Sequence, residues 1–514
     1  MLLERLKNCV RLQRFVRKIS SNRESLFLLC KHLEINEDKA HYIALKQPYI
    51  TKICEEDLKG MIETVHDLGF SKEVLINHPS LFHMVPVTLK NRYKILEECG
   101  FKKITPELLL SYLNVIKQKT VDELRSMGLI SPYFNIENRL ASCMTQWPQS
   151  LTTLIYGDIN SKTLYDLRIK IIQRYLELMI DLSKEEFNRG LKSYPTLQHR
   201  PLRAINETLV MLQSQVAMPN YKIKSNIYLI YVDPDNLKKI LYKLKELGGI
   251  DIREVIRMYP KLAIKNYFTI LEIKNVLERH GISQEAQSRC FQIFTLSPKT
   301  VEERLNNAKT TPEFSLYVNH PRFLKMILYN KTVLKRMLNL KNNNKKCLTL
   351  NVLSGSSLRY ESFEKAPGDR LGKGKDLVFT IRQILGSDFS SQNIRNSLKR
   401  HPFWINIPLV KVKYIYDKLA NNFSRKDIFE NVAILLYPWN KIRKNIEDIA
   451  KDESLNGHYL TSYLDLKKLT KSQKLSLVLY MMEKDHYFSG NGVWTEDQQK
   501  NLAETKNLSK FKRV

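Results

Sequence analysis

Apolar residues recur along this chain at helical spacing, punctuated by prolines and glycines a fixed distance apart. Pro48 is followed 21 positions later by Gly69, Pro79 by Gly100 and Pro260 by Gly281 at the same distance. Asn342 stands 21 after Pro321, and Asn422 stands 20 after Pro402. Asn is the residue that best replaces glycine where the backbone turns left-handed. Proline suits the first turn of a helix, because that turn has no bond for its missing N–H to lose. Glycine closes a helix in the left-handed conformation. The pattern therefore predicts a helical turn, a long helix and a stop. Apolar side chains keep register with it: Ile50, Leu81, Leu262, Phe323 and Trp404 lie two after the proline, and Phe70, Phe101 and Ile282 follow the glycines. Val65, Leu96 and Leu277 stand four before them, one turn away.

A second helix is predicted after each stop. Ser71, Ser183, Ser390 and Ser424 occupy N-cap-like positions, and Ser183 with Glu186 has capping-box spacing. These helices run into the next proline, and the residue before it is His78, Trp147, Tyr194, Tyr259, His320, His401 or Tyr437. The unit is helix, turn, helix, at roughly 31–36 residues. A single copy leaves an apolar face exposed, so copies must stack. The predicted fold is all-α: an α-solenoid, or superhelix, of tandem repeats.

Spacings drift between Pro106 and Pro234, and residues 341–375 break the pattern with a basic Asn-rich run and Gly355, Pro367, Gly368, Gly372 and Gly374. The expected organisation is a leader over 1–23, a repeat array over 24–340, a basic linker or insertion over 341–375, further repeats over 376–488 and a polar tail over 489–514.

Charge narrows the reading further. Lys and Arg outnumber Asp and Glu by 83 to 53, a net +30, while 43% hydrophobic and 10% aromatic content belong to a folded chain. Such an excess persists where a polyanion compensates it. The leader carries seven basic residues (Arg5, Lys7, Arg11, Arg14, Arg17, Lys18, Arg23) against Glu4, with Leu2, Leu3, Leu6, Val10, Val16 and Ile19 largely on one side. That composition reads as a mitochondrial transit peptide. Without it the chain stays near +24, so the basic excess belongs to the folded body. Apolar runs such as Ile227–Val232 are core-sized, and no membrane span is expected. The seven scattered cysteines form no Cys-x-x-Cys pair, which points to a reducing compartment and small buried side chains.

The sequence holds no His-Glu-x-x-His, Gly-x-Ser-x-Gly or Walker loop. Gly368, Gly372, Lys373, Gly374 and Lys375 look phosphate-binding at a glance. Their spacing is wrong for a P-loop, Asp376 stands where Ser or Thr belongs, and a flexible basic loop is expected instead. His78, His320 and His401 share one repeat position, so packing beside the proline is favoured over metal binding. Neither catalysis nor a cofactor or metal is expected. Phosphates need cations spaced along a surface. The candidates are Lys90, Arg92, Arg174, Arg203, Lys265, Lys274, Arg322, Lys325, Lys411 and Lys413, flanked by Arg304, Arg336, Arg382, Arg395, Lys399 and Arg400. Arg400 beside His401 and Phe403-Trp404 could stack on an unpaired base, although the register of Trp404 marks it as core.

The stretches His78-Pro79-Ser80-Leu81, Leu68-Gly69-Phe70, Tyr259-Pro260-Lys261-Leu262, His320-Pro321-Arg322-Phe323 and His401-Pro402-Phe403-Trp404 resemble the repeat signature of the mitochondrial transcription termination factor (mTERF) family. The resemblance covers most of residues 40–490. The C-terminal part, with Leu435-Leu436-Tyr437-Pro438 and Tyr459-Leu460, most resembles an insect subgroup. It implies a curved superhelix with a basic concave path along double-stranded mitochondrial DNA, in the matrix nucleoid, and a role in stopping, starting or balancing transcription. Mitochondrial ribosomal RNA is the alternative ligand within the family. A scaffold docking on other mitochondrial transcription factors is the alternative of a different class.

Overall fold

The computed structural model describes residues 25–52, 55–133, 135–144, 158–401, 403–450 and 468–484. The predicted leader (1–23) and tail (489–514), together with Trp147, Pro402, Tyr459 and Leu460, lie outside the described residues. Two compact units divide the chain: one reaches Lys245 and includes Ile252–Tyr267, the other comprises Glu246–Asp251 and the residues from Phe268 on. Both are helical. Among the described residues the only strands are Glu246–Leu247 and Ile250–Asp251, a two-residue antiparallel ladder turned by Gly248-Gly249.

The repeat is a short helix, a five-residue 3₁₀ turn and a longer helix. Pro48, Pro79, Pro195 and Pro260 open the turns Pro48–Lys52, Pro79–His83, Pro195–His199 and Pro260–Ile264. Three further turns, Ile227–Tyr231, Phe291–Thr295 and Val432–Leu436, open without proline, so the proline spacing alone misses them. They keep the apolar residue two places in: Leu229, Ile293 and Ile434 are fully buried, as are Leu81 and Leu262. Burial of that side chain, worth roughly 1.5–3 kcal/mol, defines the motif better than the proline does. After the turn Pro79–His83, two extended residues, Met84 and Val85, lead into the long helix Pro86–Glu98.

The helix stops form as expected at the glycines. Gly69, Gly100 and Gly281 have φ of 79°, 81° and 71°. Phe70 N–H donates to the Val65 carbonyl at 3.1 Å, Phe101 to Leu96 at 3.2 Å and Ile282 to Leu277 at 3.0 Å. This is the Schellman bond between C″ and C3. The two asparagines behave differently. Asn342 ends the helix Asn330–Asn342, and the left-handed residue is Asn344, with Lys345 N–H bonded to the Leu340 carbonyl at 2.9 Å. The cause is a shift in register. The long helix after Pro321 begins nine residues on, at Asn330, where the long helices after Pro79 and Pro260 begin seven on, at Pro86 and Tyr267. Asn422 is not left-handed at all; Phe423 N–H simply reaches the Leu419 carbonyl at 3.0 Å. Among the serines, Ser183 and Ser424 form full capping boxes with Glu186 and Asp427, Ser390 caps without a side-chain bond, and Lys72 takes the N-cap place expected of Ser71.

Buried arginines stitch successive repeats in the first unit. Arg168, 1% exposed, pairs with buried Glu98 at 3.0 Å and donates to the Arg200 carbonyl at 2.6 Å. Arg200, equally buried, repeats the gesture 32 residues on, donating to the Val232 carbonyl at 2.8 Å and to Asp233 at 3.1 Å. Glu98 also accepts the N–H groups of Leu202 and Arg203 at 2.8 and 2.9 Å, at the start of the helix Leu202–Ser214. The buried charges of Arg168, Glu98 and Arg200 are thus paired, as burial requires.

Residues 341–375 belong to the second unit and carry the helices Leu350–Ser354 and Ser357–Lys365. The glycine run is held in place. Asp369 accepts the N–H groups of Lys346 and Cys347 at 2.7 and 3.0 Å, and Leu371 N–H reaches the Ile405 carbonyl at 2.7 Å. Gly374 is the N-cap of Lys375–Leu385 at φ 69°, and a Cβ there would stand 2.3 Å from the Trp404 ring. Trp404 is only half-buried, so the core position expected from its register is replaced by packing on this glycine. Four of the five described cysteines, Cys99, Cys143, Cys290 and Cys347, are buried, and Cys30 is half-buried; all five are free thiols.

Candidate nucleic-acid interface

A cation can serve a phosphate only if its charge is not already neutralised, so the partners of the candidate residues decide what each can do. Four are in ion pairs: Lys90 with Asp235 at 3.1 Å, Arg174 with Glu177 at 2.9 Å, Lys274 with Glu278 at 3.9 Å and Lys413 with Asp417 at 2.8 Å. Four others donate to carbonyls, three of them where a neighbouring helix ends. Arg92 reaches Leu109 at 2.8 Å while lying over the Tyr112 ring, and burial pushes its guanidinium pKa down. Arg304 reaches Ile327 and Leu328, both at 2.9 Å, and Arg336 reaches Leu353 and Gly355 at 3.1 and 2.7 Å. Arg382 reaches Ser387 at 3.2 Å. A helix C-terminus leaves four carbonyls without intrahelical partners and carries the negative end of the helix dipole. Part of the basic excess therefore caps helices.

The remaining candidates are placed as follows. Arg203 is exposed on the helix Leu202–Ser214. Lys265 closes the turn Pro260–Ile264 and Lys411 sits half-buried on the helix Leu409–Leu419. Arg395 is half-buried, with its Nε out of contact with water. Lys399 and Arg400 are exposed at the end of the helix Ser391–Lys399.

Arg322 and Lys325 come together, with Arg359, around one cavity of about 300 Å³ in the second unit, whose other lining residues are Leu350, Asn351, Ser354, Gly355 and Ser356. Arg336 fixes its wall through the Gly355 carbonyl. Three of the sixteen candidates thus meet at one place. Arg359, Asn351 and Ser356 were missed because they lie in the stretch read as a linker. The available signal was Ser356, an N-cap residue ahead of Ser357-Leu358-Arg359.

The histidines before the proline have a local task. His320 Nδ1 accepts the Arg322 N–H at 3.0 Å and His401 Nδ1 accepts the Phe403 N–H at 3.2 Å. Burial lowers the pKa of both rings, which keeps them neutral acceptors. Among the described residues no group of three or more His, Cys, Asp or Glu could hold a metal ion, and no helix is long and apolar enough to cross a membrane.

No protein-family model matches the chain, and no solved structure matches it. It is similar to transcription termination factor 5, mitochondrial, of Drosophila melanogaster, with 28% identity over 466 residues that span 90% of this chain and 82% of that protein. With helical repeats in the register described above and this likeness over nine-tenths of its length, the chain is similar to a mitochondrial transcription termination factor.

Proposed function

We propose that this protein is a mitochondrial nucleic-acid-binding regulator of transcription that grips double-stranded mitochondrial DNA through cations on its helical repeats, without catalysis. The observation that carries the reading is the net +30 on a helical-repeat chain with this likeness. Ion pairing and helix capping use many of the candidate cations, but capping a carbonyl leaves the positive charge in place, and Lys325, Lys399, Arg400 and Arg359 have no carboxylate partner among the described residues. Such a surface binds phosphates mainly by charge and shape. The name of the Drosophila relative places that protein in mitochondria and in transcription termination. The leader of this chain has the composition that would take it to the matrix.

Crosslinking in intact mitochondria followed by recovery of bound nucleic acid tests the proposal. Enrichment of discrete mitochondrial DNA segments, with altered transcript levels beyond them on depletion, is the expected result. Recovery of ribosomal RNA instead would replace it with ribosome assembly, and recovery of neither would leave docking on another transcription factor.

A further inference from the structure

The cavity between the helices Phe323–Leu328, Leu350–Ser354 and Ser357–Lys365 is lined by three cations and no acid. Arg322 and Lys325 are half-buried and Arg359 is exposed at the rim. The Arg322 guanidinium is aimed by a 2.8 Å bond from its Nη1 to Asn351 Oδ1, a neutral partner that leaves its charge intact. Asp376, the nearby carboxylate, is buried and accepts the Leu350 N–H at 3.2 Å. Leu350 is the single large apolar side chain in the lining, so the cavity does not favour an apolar guest.

The backbone adds to the field. The nine-residue helix Ser357–Lys365 begins at the cavity, and its N-cap Ser356 makes no side-chain bond to the first turn. Its N-cap residue Ser356 and the preceding Gly355 line the cavity, so the positive end of the helix dipole lies beside the three cations. The wall is rigid: a Cβ on Gly355 would stand 2.1 Å from the Asn351 carbonyl oxygen, and Arg336 clamps the Leu353 and Gly355 carbonyls from behind.

We propose that this cavity is a phosphate seat that takes one backbone phosphate of the bound nucleic acid, held by Arg322, Lys325 and Arg359. The assignment rests on the nucleic-acid reading above and adds a fixed anchoring point to it. Concave geometry with guanidinium, ammonium and neutral donors suits an anion with several oxygens better than a carboxylate, which two donors satisfy.

Two readouts on the full chain keep the anchor separate from the wider reading. The double variant Lys325→Gln with Arg359→Gln removes two cations that form no bond within the fold. Binding to a mitochondrial DNA duplex is followed across salt, with Lys184→Gln plus Lys192→Gln, at exposed positions of the helix Lys184–Ser193, as a control of equal charge loss. The seat predicts that the first variant lowers the slope of log affinity against log salt by about one and weakens binding by at least about tenfold, the control changing little. Inorganic pyrophosphate, titrated separately by calorimetry, binds the parent and not the first variant. Equal loss in both variants, or unchanged binding by the first, overturns the seat while leaving the nucleic-acid reading in place. A parent that binds pyrophosphate but no duplex overturns the nucleic-acid source of the phosphate, and with it the wider reading.

Discussion

Arg168 and Glu98 show what a single buried pair demands. Replacing a buried ion pair as a whole can be neutral, but removing one partner strands the other's charge in the core. Arg168→Met is expected to cost about 3–5 kcal/mol, measured as a lower midpoint in urea, and a loss under about 1 kcal/mol would show that the pair is not desolvated. The sequence marks Arg168 and Arg200 only as two more cations of a basic chain. Their burial follows from tertiary packing, which residue type does not reveal. His199 adds a pH dependence. Burial is the largest cause lowering its pKa to about 4, from 6.5, followed by the charges of Lys117, Arg168 and Arg92. The ring is neutral in the folded state and gains a proton more readily when unfolded. Its contribution is therefore fully present above about pH 6.5 and is lost as pH falls towards 4. Thermal melts of the parent should show a falling midpoint across that window, and His199→Gln should flatten the fall; an identical profile for both would refute the assignment.

At the scale of elements, the Pro-to-Gly spacing made the repeat legible because both residues act through their own backbone. Proline fixes φ and glycine accepts a left-handed turn wherever they stand. The turns at Phe291 and Val432 were illegible for the converse reason: nothing in Phe or Val commits the backbone to 3₁₀ geometry, and only the stacking of neighbouring repeats does. Trp404 and Gly374 illustrate the same limit. Register suggested a core tryptophan, yet the indole rests on a glycine that sequence reading had placed in a flexible loop. Gly374→Ala combines a left-handed φ with a Cβ driven into the Trp404 ring, and is expected to cost at least about 1–3 kcal/mol. Denaturant unfolding checks it. Pairing it with Trp404→Ala should recover part of the loss, the steric part, and no recovery would mean that the indole is not the obstacle.

For the molecule as a whole, the all-α repeat class followed from the sequence, whereas the use of its charge did not. Sixteen basic residues had equal claims as phosphate ligands. The structure assigns some to carboxylates, some to helix ends, and gathers Arg322 and Lys325 with Arg359 around one cavity. Which cations remain outward depends on contacts between helices far apart in sequence, such as Lys90 with Asp235. The account stands or falls on direct recognition of nucleic acid. The most direct measurement is the affinity of the chain lacking residues 1–23 for mitochondrial duplex DNA and for folded mitochondrial ribosomal RNA, each titrated from 50 to 200 mM salt. With six to ten phosphate contacts, the account predicts that duplex DNA is preferred and that its affinity falls by about 10³–10⁵-fold across that range. Weak binding to both, with little dependence on salt, would contradict it.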